Sequence, residues 1–167
     1  EAVRLSEVAT TAYWRYYGLD IRIARLYCVY GPRMRADDGR MISTFLHQAL
    51  GDEDLTINGD GSQTRSPTYV SDAVQGILRL AAVNEHGPVN LGWPHEISVL
   101  QCAREVLAVT GSKSNLKFCP LPADDAKRRY PDITKARTLL NWEPMVDLSA
   151  GLRLCLNSSR EARPARK

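Results

Sequence analysis

Apolar and polar residues alternate along the chain with two periods, one helical and one extended. Over residues 1–17, apolar side chains recur every three or four positions, which predicts an amphipathic helix that Gly18 ends. A second helix is predicted to begin at Ser98, which forms a capping-box pattern with Gln101, and to end before Gly111. By the same criteria we expect further helices over 41–50, over 132–140 with Asp132 as its cap, over 148–157, and from a cap at Ser71 or Asp72.

Short runs rich in β-branched and aromatic residues alternate with these helices. The segment DIRIARLYCVYG, residues 20–31, predicts a strand that the Gly31–Pro32 turn ends, and NGDGSQT predicts a turn. Shorter strands are expected over 55–57, 89–91 and 116–118. Alternating helices and strands favour the α/β class. No glycine-rich turn of the dinucleotide-binding kind occurs in the sequence. If the chain belongs to a nucleotide enzyme, we therefore expect it to hold the ligand other than the dinucleotide.

Composition excludes several classes of protein. The 167 residues are 44% hydrophobic and 25% charged, as in globular rather than disordered chains. The 22 basic and 19 acidic residues are too balanced to favour nucleic acid, and much of the excess lies in a basic tail at 161–167. We find no apolar run long enough for a membrane span and no signal-peptide pattern, so we expect a cytoplasmic protein.

The residues that commonly bind metals are scattered. The four cysteines show no C-x-x-C pair and no histidine at metal spacing, so we expect them to be reduced and mostly buried. The histidines stand apart from acids and cysteines and are interpreted as surface or cap residues. We therefore predict no metal site. The cysteines are Cys28, Cys102, Cys119 and Cys155, and the histidines are His47, His86 and His95.

The segment YGPRMRADDGRMISTF, residues 30–45, concentrates charge in one loop. Three arginines and two acids lie between a Gly-Pro turn and a predicted helix. Guanidinium groups pair with phosphate and carboxylate oxygens through two parallel hydrogen bonds, so a site for an anionic ligand is one interpretation. The alternative is a set of solvated loop charges, which is the ordinary state of charged residues.

Four segments, in order, carry a resemblance to a known family: RIARLYCVYGPRMRADDGRMISTFLHQAL, LTINGDGSQTRSPTYVSDAV, VNLGWPHEISVLQCA and PADDAKRRYPDITKARTLLNWEP. The chain resembles the extended short-chain dehydrogenase/reductase family, also called the NAD-dependent epimerase/dehydratase family. Within it, GPRM…DDGR is similar to the UDP-glucuronate decarboxylase (UDP-xylose synthase) branch. GDGSQTR…YVSD is shared with dTDP-glucose dehydratases and epimerases, so it is less specific.

The resemblance implies the C-terminal part of a Rossmann-type doubly wound sheet plus a small α/β substrate-binding lobe. Residues 1–30 would be the last helix and strand of a truncated NAD-binding domain. Residues 31–160 would be mainly the nucleotide-sugar lobe with returning Rossmann elements. We expect a longer N-terminal part that carries most of the NAD site, and a homodimer for the full-length protein. A Golgi location stays open for a eukaryotic member with an N-terminal anchor.

The implied reaction is oxidation of UDP-glucuronate at C4 with NAD, loss of carbon dioxide, and re-reduction to UDP-xylose. The family's catalytic tyrosine would lie before Glu1, and its lysine position falls on Val3, which cannot supply a charge. A further departure is Cys28, where related enzymes usually carry a substrate-binding asparagine. Arg40 would face the sugar carboxylate, and Arg65 the diphosphate.

Weaker assignments follow from the same resemblance. Arg128 or Arg129 would contact the phosphates or the ribose, although two adjacent basic residues in a loop are often only solvated. Tyr13 and Tyr16 would lie near the substrate, or else pack along the first helix. Val29 and Arg35 are assigned to the cofactor side. Three readings therefore stay open: the decarboxylase, a catalytically impaired nucleotide-sugar-binding relative, and an epimerase or 4,6-dehydratase acting on another nucleotide sugar.

Overall fold

The structure, a computed structural model, describes residues 1–35 and 38–161, with side chains as far as residue 158. Asp37 of the arginine loop and residues 162–167 of the predicted basic tail lie outside the described residues. The helices are α1 (Ala2–Tyr17), α2 (Met41–Leu50), α3 (Val70–Ala81), α4 (Val99–Thr110), α5 (Thr134–Leu140) and α6 (Leu148–Glu161). The strands are β1 (Ile23–Leu26), β2 (Val29–Tyr30), β3 (Leu55–Asn58), β4 (Thr64–Arg65), β5 (Thr68–Tyr69), β6 (Pro88–Leu91), β7 (Ile97–Ser98) and β8 (Leu116–Cys119).

The strands pair in twos across long stretches of sequence. Strands β1 and β6, β2 and β5, and β3 and β8 are parallel, whereas β4 and β7 are antiparallel. Parallel partners need a crossover between them, and helices supply it here, as the alternation in the sequence predicts.

One hydrophobic core lies where α3 and α5 cover β1 and β6. Its buried members are Leu80, Val89, Leu91, Ile133, Ala136, Leu140 and Trp142. The indole of Trp142 donates to the carbonyl oxygen of Asp72 at 3.0 Å, and the carboxylate of Asp72 accepts from the backbone N–H groups of Met145 and Val146. These bonds satisfy a buried acid and tie the chain before α6 to the first turn of α3.

A second core lies between α2, α4 and α6 and the pair β3–β8. Its buried members are Tyr30, Ile42, Phe45, Ala49, Leu55, Ile57, Tyr69, Val99, Cys102, Ala103, Val106, Leu152 and Cys155. Tyr30 packs against Gly151 of α6 so closely that a Cβ at that glycine would stand 2.0 Å from the phenol oxygen. Burial raises the pKa of Tyr30, so it is a neutral core residue here.

Several predicted elements have the predicted bounds. Helices α1, α2 and α4 lie where the periodicity puts them, and α1 and α4 end at Gly18 and Gly111 in left-handed conformations. The capping box of α4 is complete, with the Gln101 N–H donating to Ser98 Oγ at 3.1 Å and the Ser98 N–H donating to the Gln101 side chain.

Other predictions need correction. The N-cap of α3 is Tyr69, not Ser71 or Asp72, because the Asp72 carboxylate binds backbone groups near α6 instead. The N-cap of α5 is Ile133, although the Asp132 carboxylate does accept from the N–H of Thr134 at 2.8 Å.

The strand predicted over 20–31 is two strands. Strand β1 ends at Leu26 and β2 begins at Val29, with Cys28 between them at a φ of 43°. The two-residue strands β4 and β7 were not predicted, since neither shows a run of alternating residues.

The expectation that the cysteines are mostly buried holds for two of them. Cys102 and Cys155 are buried, whereas Cys28 is exposed and Cys119 is intermediate. Burial raises the pKa of the Cys102 thiol to about 12 and that of Cys155 to about 11. Cys28 is the exposed thiol because it lies at the break between β1 and β2.

Candidate functional site

A cleft of ≈ 690 Å³ opens where β2, the loop before α2, the β3–β4 turn and the segment 122–129 meet. Its volume is within the range of small-molecule sites. Five of the residues singled out from the sequence line it, and three of these carry guanidinium groups. They are Cys28, Val29, Arg40, Arg65 and Arg129.

Arg65 is held tightly at the wall of the cleft. Its Nη1 donates to the carbonyl oxygens of Thr64 and Ala126, each at 2.8 Å, and its Nη2 donates to a carboxylate oxygen of Asp125. The side chain is 12% exposed, so the guanidinium is largely desolvated. Both Nη1 donors and one Nη2 donor are hydrogen-bonded within the protein. Such a group is positioned before any ligand arrives.

Arg40 stands at the N-terminus of α2 and is far more open. It is the N-cap residue, and its side chain is 66% exposed, with Nε 3.6 Å from a carboxylate oxygen of Asp38. The Asp38 carboxylate also accepts from the Arg40 backbone N–H at 3.0 Å and from the hydroxyl of Ser43. Asp38 therefore fixes the backbone of the loop, while the guanidinium of Arg40 keeps access to the cleft.

The segment 122–129 lies along β4 and closes one side of the cleft. The Thr64 N–H donates to the carbonyl oxygen of Lys127 at 2.9 Å, and the Arg129 N–H donates to the carbonyl oxygen of Thr64 at 3.3 Å. Successive residues of an extended segment point to opposite faces. Accordingly Arg129 lines the cleft, whereas Arg128 does not.

The side chain of Arg128 lies on the opposite face of this segment, where it contacts Glu96 and Tyr130. It makes a two-pronged ion pair with Glu96, with Nε 2.7 Å from one carboxylate oxygen, and its guanidinium lies 4.4 Å over the ring of Tyr130. Glu96 also accepts from the hydroxyl of Thr64 at 2.5 Å and lines a second cavity of ≈ 640 Å³. The hydrogen bonds from Arg128 and then Thr64 lower the pKa of Glu96 below its usual value.

Cys28 brings an unusual backbone conformation to the cleft. Its positive φ belongs to the left-handed region, which asparagine adopts more readily than most residues. Its carbonyl oxygen accepts from the Thr68 N–H at 3.2 Å, so the pairing of β2 with β5 holds the conformation in place. The backbone here suits the asparagine that the sequence resemblance leads one to expect at this position.

The remaining predicted residues lie away from this cleft. Tyr13 and Tyr16 are exposed on α1, Tyr16 at 84%, and Val3 on the same helix is 74% exposed. Neither tyrosine packs in a core, and within the described ranges neither lines the cleft. Arg35 is exposed and also stands outside the cleft lining.

Sequence reasoning missed the acids of the cleft. Asp124 and Asp125 line it beside Arg129, and amide groups come from Asn58 at the end of β3 and Gln63 just before β4. The signal was present in the run DDAKRR, where two acids precede the arginine pair. That run does not reveal which acid meets which arginine, because the contact with Arg65 spans sixty residues of chain.

The described residues offer neither a cluster of metal ligands nor a membrane-spanning helix. No three histidine, cysteine or acidic side chains among them lie close enough together to hold a metal ion. Likewise, none of the helices in the described part combines the length and the apolar character that crossing a membrane requires.

Comparison with known proteins identifies the family. The profile of the NAD dependent epimerase/dehydratase family matches residues 1–92, more than half of the chain. The chain belongs to this family. It is 46% identical over 161 residues to UDP-glucuronic acid decarboxylase 2 of Arabidopsis thaliana, covering 96% of this chain and 36% of that protein. It is 44% identical over 161 residues to UDP-glucuronic acid decarboxylase 1 of Xenopus tropicalis, covering 96% of this chain and 38% of that protein.

Solved structures of family members share the fold. The UDP-glucose 4-epimerase of Thermotoga maritima, solved with UDP-glucose, is 29% identical with a TM-score of 0.90, over 95% of this chain and 52% of that one. The UDP-glucuronic acid 4-epimerase of Bacillus cereus, solved with UDP-glucuronic acid and NAD, is 31% identical with a TM-score of 0.84, over 94% and 50%. The predicted Rossmann-type α/β fold is confirmed. The chain spans about half or less of the length of these relatives.

Proposed function

We propose that this chain forms the nucleotide-sugar-binding part of a UDP-glucuronate decarboxylase that gives UDP-xylose. The observation that carries the proposal is the presence of Arg40, Arg65 and Arg129 in one cleft. A nucleotide diphosphate sugar acid brings negative charge on its phosphates and its carboxylate, and burying such groups without cations is costly. The similarity to UDP-glucuronic acid decarboxylases supports the choice of sugar.

The three arginines take two roles in the proposal. Arg65, held and mostly desolvated, and Arg129, on the facing segment, bind phosphate oxygens. Arg40, at the open end of α2, pairs with the C6 carboxylate and orients it for loss of carbon dioxide. A planar guanidinium suits a carboxylate because both present two parallel groups.

We propose that the residues of this chain form only the edge of the cofactor site. We propose that Val29, in the cleft wall and within the 1–30 part assigned to the NAD-binding domain, and Arg35, in the loop after β2, lie on the cofactor side. Bound NAD would supply the hydride acceptor for the oxidation at C4 and the hydride donor after decarboxylation. The sequence has no glycine-rich turn for the pyrophosphate of NAD, so we propose that most of the NAD site lies in another part of the natural protein. We also propose that the natural protein is a homodimer.

A second candidate is a relative that binds the nucleotide sugar without turning it over. Val3, at the position where the family resemblance places a lysine, favours it, because valine supplies neither charge nor hydrogen bond. The two candidates share the cleft and differ in chemistry. Release of carbon dioxide from UDP-glucuronate by the natural protein supports the decarboxylase, and binding without release supports the relative.

The role of Arg40 can be tested by comparing UDP-glucuronate with UDP-glucose. Isothermal titration of the natural protein should show tighter binding of the acid, and Arg40→Ala should remove that preference while leaving UDP-glucose affinity nearly unchanged. A charged hydrogen-bonded pair contributes about 1.5–3 kcal/mol, so the preference should fall roughly tenfold or more.

Arg33→Ala is the matched control, because it removes a charge from the same loop at a residue that does not line the cleft. This variant should keep the preference for the acid. Equal affinity for both sugars in the unaltered protein would contradict the decarboxylase proposal and favour an epimerase or dehydratase acting on a neutral nucleotide sugar.

A further inference from the structure

Arg65 uses only part of its hydrogen-bonding capacity within the protein. A guanidinium carries five N–H donors. Three of them are taken up by the carbonyl oxygens of Thr64 and Ala126 and by the carboxylate of Asp125. Among the contacts of the described residues, the Nε–H and one Nη2–H have no acceptor, and the side chain lines the cleft and is 12% exposed.

The place of Asp125 is unexpected in a cleft that binds anions. A carboxylate near a bound phosphate repels it, so by charge alone a cleft without this acid would bind the phosphate more tightly. Yet the Asp125 side chain is only 22% exposed and accepts directly from the Arg65 guanidinium. Its neighbour Asp124 lines the same cleft and, among the contacts of the described residues, holds no guanidinium. Of the two adjacent acids, Asp125 is therefore the one that contacts Arg65.

We propose that Asp125 is a positioning residue that, with the carbonyl oxygens of Thr64 and Ala126, orients Arg65 so that its remaining donors meet a phosphate of the ligand. This inference rests on the proposed nucleotide-diphosphate function and names a further residue of that site. An unanchored arginine loses rotamer freedom when it binds, and an anchored one has already lost it on folding. The repulsion from Asp125 is offset because its charge is paired with Arg65 before the ligand arrives.

The test is the dissociation constant of UDP, measured by isothermal titration calorimetry on the natural protein and on matched variants. Asp124→Asn removes one negative charge from the cleft and should make UDP binding tighter, because the repulsion of the phosphates falls. Asp125→Ala removes the same charge but should weaken binding about tenfold, the effect of one lost charged hydrogen bond. Asp125→Asn keeps an acceptor oxygen for Nη2 and should fall between Asp125→Ala and the unaltered protein.

A double-mutant cycle separates positioning from other roles. In an Arg65→Ala background, adding Asp125→Ala should weaken UDP binding no further, because the residue to be positioned is gone. If the weakening persists in that background, Asp125 contacts the ligand itself or supports the segment 122–129, and the inference is wrong. Equal or tighter binding by Asp125→Ala alone also overturns it. Absence of UDP binding by the unaltered protein would instead overturn the proposed function.

Discussion

Helix α4 buries four of its 12 residues against α2, α6 and β3, whereas none of the 16 residues of α1 is buried. Both helices carry apolar side chains at helical spacing, and both end at a glycine in the left-handed conformation. They differ in their surroundings. The contacts of α1 with the rest of the described chain include an ion pair from Glu7 to Arg25 and a ring stack of Trp14 on His86 at 4.6 Å.

The difference shows that helical periodicity and helix stability are separate matters. A helix of this length is marginal alone in water, and most helices in proteins owe their stability to a buried face. Helix α4 has that face and a capping box, while α1 exposes Val3, Leu5 and Val8. We therefore expect perturbations of α4 to reach the whole fold and perturbations of α1 to stay local.

The largest expected difference comes from truncating one valine in each helix. Val106 is fully buried in α4, so Val106→Ala should lower the free energy of unfolding by about 2–3 kcal/mol through lost burial and a cavity. Val8, on the exposed face of α1, is the matched control, and Val8→Ala should change it by less than about 0.5 kcal/mol. Urea titration followed by circular dichroism measures both. Equal losses would mean that α1 is packed in solution.

The sequence predicts an element well when the residues that fix its ends are close together in the chain. The bounds of α4 were predictable because its capping box and the glycine after its last turn are local features of the chain, and α2 likewise ends at a glycine. The start of α3 was not, because the Asp72 carboxylate binds the amides of Met145 and Val146, more than seventy residues further along. A capping residue can be recognised locally, but a tertiary acceptor for the same side chain cannot.

A smaller difference in stability should come from replacing the N-cap residue of each helix. Ser98→Ala removes the Oγ that accepts from the Gln101 N–H and should cost about 1 kcal/mol of stability. Glu1, at the N-cap of α1, makes no side-chain capping bond, so Glu1→Ala should leave the global unfolding transition in place. Thermal unfolding of the two variants side by side gives the answer. A matching loss in Glu1→Ala would contradict the contrast between the helices.

The candidate site was predictable in its cations and not in its acids. The motifs around Arg40 and Arg65 singled out two arginines that line the cleft. The choice between Arg128 and Arg129 could not be made locally, since it depends on how this segment pairs with Thr64. The same long-range pairing brings Asp125 to Arg65, which explains why the acid escaped notice. Charge type can be read from sequence, but which charges meet is set by the pairing of distant segments.

The smallest expected effect concerns the ion pair that ties α1 to β1. Arg25 donates to both carboxylate oxygens of Glu7, and this lowers the pKa of Glu7 below its ordinary value of 4.5. The pair therefore stabilises the docked helix above about pH 4.5, and its contribution is lost as the pH falls through the lowered pKa.

Glu7→Gln should raise amide hydrogen exchange along α1 about two- to threefold near neutral pH, the size expected for a partly exposed pair, and leave α4 unchanged. Glu1→Gln is the control, because the ion pair that Glu1 makes within the described part of the chain is with Arg4 of the same helix. On acidification, exchange corrected for its intrinsic pH dependence should rise in α1 of the unaltered protein and not in Glu7→Gln. If both proteins respond alike, the Glu7–Arg25 pair does not hold the helix, and this prediction is wrong.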